Sequence, residues 1–396
     1  MVVVRKRGSK EVHNFTFQNP TRIVFGEGRI GEVGGLVPPD SKVLLIYGGG
    51  SAEKTGVLNQ VRRALADFHV VEFGGIEPNP RYATAMKAVE VIAQEGIDFL
   101  LAVGGGSVID ATKFIAAATN HHGDRWEILT SRGAVVKSAL PFGTILTLPA
   151  TGSEMNSGAV ITHEENGAKL PFLSPHCYPL FSVLDPTVTY TLPPRQIANG
   201  VADAFVHVIE QYLTYPVGAR VQDGFAESLM RILIDLGPIA LDRPTDYEVR
   251  ANLMWTATLA LNGLIGAGVP HDWASHMIAH EITALNDTDH ARTLAVVLPA
   301  LLDDQRGPKR EKLLQYATNV WGISGGTEEA RIDAVINATR NFFETLGIKT
   351  RLSDYGIYGE GIEHIVAALQ RHGMTELGEH RALTPADARR ILERAQ

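Results

Sequence analysis

Between residues 15 and 185, short aliphatic or β-branched runs alternate with longer stretches in which apolar residues recur every third or fourth position. Runs of the first kind are KVLLIY (Lys42 to Tyr47), HVVEF (His69 to Phe73), FLLAVG (Phe99 to Gly104) and FGTILTLP (Phe142 to Pro149). They read as buried parallel strands, and Thr55 to Phe68 and Pro80 to Gly96 carry the helical period between them, which is how strand–helix–strand units look. Past TLPPRQIANG (Thr191 to Gly200) the strand pattern fades. A period near 3.6 continues through segments beginning near Gln196, Val221, Tyr247, Asp272, Ala291, Lys309, Glu328 and Pro385. Pro193 and Pro194 mark the change, since proline starts a helix readily and cannot continue a strand ladder. The pattern predicts a parallel-sheet α/β domain over residues 1–194 and an all-helical domain over 195–396. No repeat, low-complexity tract or linker separates them, so tight packing of the halves is expected.

Composition narrows the function without changing that picture. A chain of 396 residues exceeds the ~250–300 at which a single core stops growing, which agrees with two domains. Hydrophobic residues at 45% and charged residues at 20% are ordinary globular usage. The net charge of −8 provides no broad basic field, which speaks against sequence-independent binding to nucleic acid or an anionic membrane and leaves small molecules as partners. Cys177 is the single cysteine; an internal disulfide and a thiolate zinc site are therefore excluded, and the usage fits a reducing cytoplasm. The start, MVVVRKRGSKEVHNF, places its valines before Arg5, Lys6 and Arg7, the reverse of a signal peptide. No export is expected, and the basic run reads as a solvated end. No stretch approaches the ~20 apolar residues of a membrane span.

Three glycine-rich elements are candidates for holding a ligand. AVGGGSVIDATK runs from a strand end into a helix, where Gly104, Gly105 and Gly106 let backbone N–H groups approach an anion at the helix N-terminus. Ser107 adds a hydroxyl, and Asp110 and Lys113 fall one turn apart on the helix. Tight strand-to-helix turns also use glycine for structural reasons alone. Neither G-x-G-x-x-G nor a P-loop is present. The second element, Gly48-Gly49-Gly50-Ser51, follows KVLLIY, where dinucleotide domains carry an acid for the ribose 2′-hydroxyl. Gly49 is not acidic, which leaves room for a 2′-phosphate that Ser51 and Lys54 can meet and favours NADP; a plain turn is the alternative. The third, TLPATGSE, presents Thr147, Thr151 and Ser153 as donors toward a pyrophosphate or nicotinamide, although any strand exit uses such residues.

Histidines concentrate farther along. Asp203 and His207 lie four apart on a predicted helix and share a face; His276 and His280 repeat the spacing, and His290 follows ten residues later. A carboxylate with imidazoles suits Zn²⁺ or Fe²⁺, whereas Ca²⁺ and Mg²⁺ want more oxygens. A single histidine on an apolar helix face is commonly a satisfied core residue; the grouping in two helix-spaced sets is what argues for a metal. H-x-x-x-H lacks the glutamate of H-E-x-x-H, which argues against a zincin protease.

Taken in order, GGGSVIDATK, TLPATGSE, the Asp203/His207 pair and the His276/His280/His290 cluster resemble the iron-containing (group III) alcohol dehydrogenase family, more narrowly its branch of NADPH-dependent aldehyde reductases and butanol dehydrogenases. FGGIEPNP, VLDP, TLPPRQIANG and NGLIGAGVPHDWASH extend the resemblance from about Asn14 to the C-terminus. It implies a Rossmann-like nucleotide-binding α/β domain, an all-α C-terminal domain and an active site in the cleft between them. Asp203, His207, His276 and His290 become metal ligands, while His280 and Asp110 become candidate catalytic residues, with His280 as proton relay. Gly104 to Ser107 hold the pyrophosphate, with Asn79, Asp110, Thr147 and Thr151 around the rest of the NADP(H). Gly49 stands where many NAD-dependent members carry Asp, so Gly49, Gly50, Ser51 and Lys169 are assigned to the 2′-phosphate side.

The implied chemistry is reversible reduction of an aldehyde to a primary alcohol, with one divalent metal, Zn²⁺ or Fe²⁺, polarising the carbonyl. A cytoplasmic homodimer is the matching expectation. The competing readings are a metal- and nucleotide-dependent lyase similar to dehydroquinate synthase, which would consume no net NADPH, and a nucleotide-binding sensor with a silent metal face.

Overall fold

A computed structural model describes residues 11–165 and 167–396; the basic run Arg5 to Arg7 lies outside the described residues. In chain order the first elements are β1 (Arg22–Phe25), β2 (Lys42–Gly48), α1 (Ser51–Lys54), α2 (Val57–Ala64), β3 (His69–Ile76) and α3 (Tyr82–Glu95). They are followed by β4 (Phe99–Gly105), α4 (Gly106–Asn120), α5 (Glu127–Thr130), β5 (Phe142–Leu148), β6 (Gly158–His163), β7 (Ala168–Leu173) and β8 (Phe181–Leu184). The remainder is helical: α6 (Pro194–Tyr212), α7 (Arg220–Asp242), α8 (Tyr247–Ala260), α9 (Ala274–Asn286), α10 (His290–Asp304), α11 (Arg310–Asn319), α12 (Glu328–Thr345), α13 (Gly359–Arg371) and α14 (Pro385–Arg394).

The chain parts into two compact units. One comprises residues 19–204 and 236–262; the other comprises the described residues up to Gln18 together with 205–235 and 263–396. Helices α6 and α7 run unbroken through the points of division.

The first unit is built on a six-stranded sheet of order β1-β8-β5-β4-β2-β3, every pair parallel. Its inner strands β2, β4, β5 and β8 are buried along most of their length because both faces are covered, whereas the edge strands β1 and β3 are largely open to solvent. Leu44, Ile46, Leu100, Ala102 and Leu146 point into the core that holds Phe114 of α4. Val43, Leu45, Phe99, Leu101, Val103 and Ile145 point the opposite way, onto Leu58 and Val61 of α2.

Several details depart from the hydrophobic pattern. The helix expected over Thr55 to Phe68 is present but shorter, α2 at Val57–Ala64, because Gly56 at φ 78° sets its start and separates it from the short α1. β1 and β8 have only four residues each, too few for a periodic signal. An antiparallel pair, β6–β7, includes Pro171, which usually counts against a strand. Helix α13 went unpredicted: Ile362, Ile365, Val366 and Leu369 are buried at helical spacing, but Gly359 and Gly361 weaken the signal in its first turn. Among the described residues no helix is long and apolar enough to cross a membrane.

Candidate active site

Helix α6 carries Asp203 and His207 one turn apart, both buried. Asp203 stands two residues before the division between the units, so its place is set by the same unbroken helix that carries His207. Helix α9 carries His276 and His280, and α10 opens with His290. Ligand atoms of Asp203, His276 and His290 all lie within 4.8 Å of one another. The His207 ring stacks on that of His276, with centroids 4.7 Å apart. His280 is buried beside this set, its ring 4.7 Å from His290 and 6.3 Å from His276.

Contacts among the helices hold these side chains in place. Thr283 and Thr293 hydroxyls meet at 3.2 Å, and Thr293 Oγ1 donates to the His290 carbonyl, which ties α9 to the start of α10. Glu210, on α6, accepts the backbone N–H groups of Ser275 and His276 at the head of α9 and also meets His276 Nδ1. Trp273, at φ 61°, sits just before α9 and sets its indole edge-on to the His276 ring at 5.3 Å.

Below α9, the buried ammonium of Lys309 bonds Asp272 Oδ2 (2.8 Å), both oxygens of Glu379 and the Leu213 carbonyl (2.6 Å). Burial alone would lower the Lys309 pKa, but Asp272 and Glu379 outweigh it and hold the group above its ordinary value. Its stabilising contribution is therefore whole below the unfolded value of about 10.4 and is lost as pH rises through the raised folded value. Lys309→Met should lower unfolding stability at pH 7 by about 3–5 kcal/mol, because two carboxylates stay buried without their cation. Denaturant unfolding reads this, and a loss below about 1 kcal/mol would show the triad to be dispensable.

The donor set suits a metal. One carboxylate oxygen and imidazole nitrogens in a largely buried cluster match the preferences of Zn²⁺ and Fe²⁺. With His276 Nδ1 held by Glu210, Nε2 is the nitrogen that would hold a cation.

In the sheet-containing unit, the candidate nucleotide residues gather at the carboxyl ends of the strands. From β2 the chain passes to β3 on one side; from β4 it passes to β5 and β8 on the other. The order reverses between β2 and β4, and such a switch point is where open α/β sheets bind ligands. Gly48 to Ser51 leave β2 there, and Gly104 to Ser107 leave β4 into α4. A Cβ at Gly106 would lie 2.5 Å from the Thr151 side chain, and one at Gly104 would lie 2.4 Å from Val108, so this turn packs too closely for any side chain.

Asp110 braces the loop after β5. Its Oδ1 accepts from Ser153 Oγ (2.6 Å) and its Oδ2 from the Val160 N–H (2.9 Å). Lys113 donates to Ser153 Oγ, Asn156 Oδ1 and the Gly158 carbonyl. Burial pushes Asp110 up and Lys113 down to about 8, and each charge opposes the other's shift. Thr147 is the penultimate residue of β5, and Thr151 Oγ1 accepts from the Ser153 N–H. Asn79 and Lys169 are 90 residues apart in sequence and are joined by a 2.8 Å hydrogen bond from Lys169 Nζ.

The structure thus brings Asp203, His207, His276 and His290 together, with His280 alongside; it places the turns after β2, β4 and β5 at the carboxyl ends of neighbouring strands and joins Asn79 to Lys169. Glu210 was missed as a supporting group, whereas Lys113 was named beside Asp110 without its bracing role. Glu210 falls three positions after His207 in DAFVHVIE, a helical spacing that was available as a signal.

Residues 20–186 match the family described as iron-containing alcohol dehydrogenase, and residues 197–396 match the C-terminal part of the Fe-containing alcohol dehydrogenase family. The chain is 57% identical over 387 residues to the NADPH-dependent aldehyde reductase YqhD of Escherichia coli K12, covering 97% of this chain and 100% of that one. It is 40% identical to a probable NADH-dependent butanol dehydrogenase of Bacillus subtilis, with 96% and 99% covered. The crystal structure of Escherichia coli K-12 YqhD superposes with a TM-score of 0.96, covering 98% of this chain and 100% of that one. An NADH-dependent butanol dehydrogenase A from Thermotoga maritima, 36% identical, gives a TM-score of 0.93 with 97% and 99% covered.

Proposed function

Because the chain belongs to the iron-containing alcohol dehydrogenase family, we propose that it reduces aldehydes to primary alcohols with NADPH, and runs the reverse oxidation, on a site that holds one divalent cation. The observation that carries this reading is the convergence of Asp203, His276 and His290 within 4.8 Å, in a chain 57% identical to an NADPH-dependent aldehyde reductase. Relatives of comparable coverage are named for either NADH or NADPH, so the cofactor choice rests on the residues after β2, where Gly49 offers no carboxylate to repel a 2′-phosphate.

When bound, Zn²⁺ or Fe²⁺ supplies Lewis-acid polarisation of a carbonyl oxygen, and NADPH supplies the hydride. Asp203, His207, His276 and His290 bind and orient that cation. His280, buried beside His276 and His290, holds the proton that the product alcohol needs. Gly104 to Ser107 and the head of α4 receive the pyrophosphate, and Asp110 keeps the Thr151 to Ser153 loop against them. Asn79 and Thr147 complete the cofactor contacts, and Ser51 and Lys169 serve the 2′-phosphate. A cytoplasmic homodimer is the assembly we assign; analytical ultracentrifugation checks the stoichiometry.

Anaerobic metal analysis combined with an NADPH-oxidation screen over short and medium aldehydes tests the function. About one cation per chain and one NADPH oxidised per aldehyde are expected, with turnover lost on chelation and regained with metal. Full metal loading without net NADPH consumption for any aldehyde would move the assignment to the lyase reading.

A further inference from the structure

We propose that Glu210 is a positioning residue that fixes the tautomer and direction of the His276 imidazole, and thereby sets how tightly the cation is held; this rests on the metal reading above. Glu210 is 2% exposed and lies on α6, the helix that carries Asp203 and His207. Its Oε1 accepts from the Ser275 N–H at 2.7 Å and the His276 N–H at 3.3 Å. Trp273, immediately before α9, makes no side-chain cap, so a glutamate from another helix satisfies amides at the head of α9. Asp272 Oδ1 covers the neighbouring Ala274 N–H at 3.0 Å.

A capping role occupies only Oε1. The second oxygen, Oε2, meets His276 Nδ1. A neutral imidazole carries a single proton, and a carboxylate at Nδ1 draws it there and leaves the lone pair on Nε2. An outer carboxylate of this kind also raises the basicity of the ligating nitrogen. One side chain therefore locks α9 to α6 and selects the only tautomer of His276 that can ligate. The two roles separate experimentally because they use different oxygens.

Glu210→Gln retains an amide oxygen to accept from Ser275 and His276, but it presents an NH₂ donor to Nδ1, which drives the proton onto Nε2. Titration of the metal-free full-length chain with Zn²⁺ against a chelating indicator reads the consequence. E210Q should bind Zn²⁺ about 10–100-fold more weakly than wild type, while the thermal midpoint of the metal-free protein stays near the wild-type value. Affinity within about twofold of wild type would overturn the positioning role. An equal fall in metal-free stability and in affinity would overturn it too, as that is what a pure cap predicts. Should E210Q fail to fold, the same titration of Glu210→Asp decides: the shorter carboxylate cannot span both partners, so weaker Zn²⁺ binding is expected and unchanged binding refutes the proposal. A wild-type chain that takes up no Zn²⁺ would instead sink the metal reading itself.

Discussion

His276→Ala is expected to lose bound metal and turnover together, with kcat falling about a thousandfold or more. The His276 ring occupies the middle of the cluster: it stacks on His207, lies 5.2 Å from His290 by ring centroid, and shares the three-residue ligand group with Asp203. Its removal takes away a nitrogen donor and also strands Glu210 Oε2 in a buried position. Polarisation of the carbonyl contributes several kcal/mol to the barrier reduction, and each 1.36 kcal/mol is tenfold in rate. Metal analysis and steady-state kinetics on the same preparation provide the check. Normal metal content with a normal rate would remove His276 from the ligand set; normal content with a slow rate would assign it to the chemistry alone.

Gly49→Asp should turn the cofactor preference from NADPH toward NADH, moving the ratio of kcat/KM values on the order of 10²–10³-fold. The position accepts a side chain. A Cβ on Gly49 meets nothing within 4 Å, and its φ lies outside the left-handed region, unlike Gly50 at φ 106°. An aspartate there accepts from the ribose 2′-hydroxyl of NADH and repels the 2′-phosphate of NADPH. Like charges brought together cost several kcal/mol, which is the source of the expected magnitude. The wild type must also prefer NADPH for the reasoning to stand. Wild-type rates with NADH equal to those with NADPH, or an unchanged ratio in the variant, would break the link between Gly49 and the phosphate.

Both predictions use positions that were legible before any coordinates, but for different reasons. Gly49 was marked by what is missing at a strand end, a local feature that the structure keeps local. The histidines were marked by a spacing of four, which any helix turns into a shared face. The same reasoning drew the helix after β2 too long, because Gly56 at φ 78° fixes its start in a way no apolar period reveals. It also passed over α13, whose buried residues have the right period behind two glycines.

Backbone geometry repeats every two or 3.6 residues, so the amino-acid sequence by itself determined the buried parallel strands, the helical second half, the glycine turns after β2 and β4, and the pairing of Asp203 with His207 and of His276 with His280. Periodicity alone did not join His290 to Asp203 and His276, which the family resemblance implied; only the tertiary structure decided that Glu210 reaches across 66 residues of chain to His276, and that Lys309 gathers Asp272, Glu379 and the Leu213 carbonyl just past α6. Such contacts depend on which helix faces are packed together. Packing is settled by the sum of many apolar burials along each helix and not by the few polar residues that end up meeting.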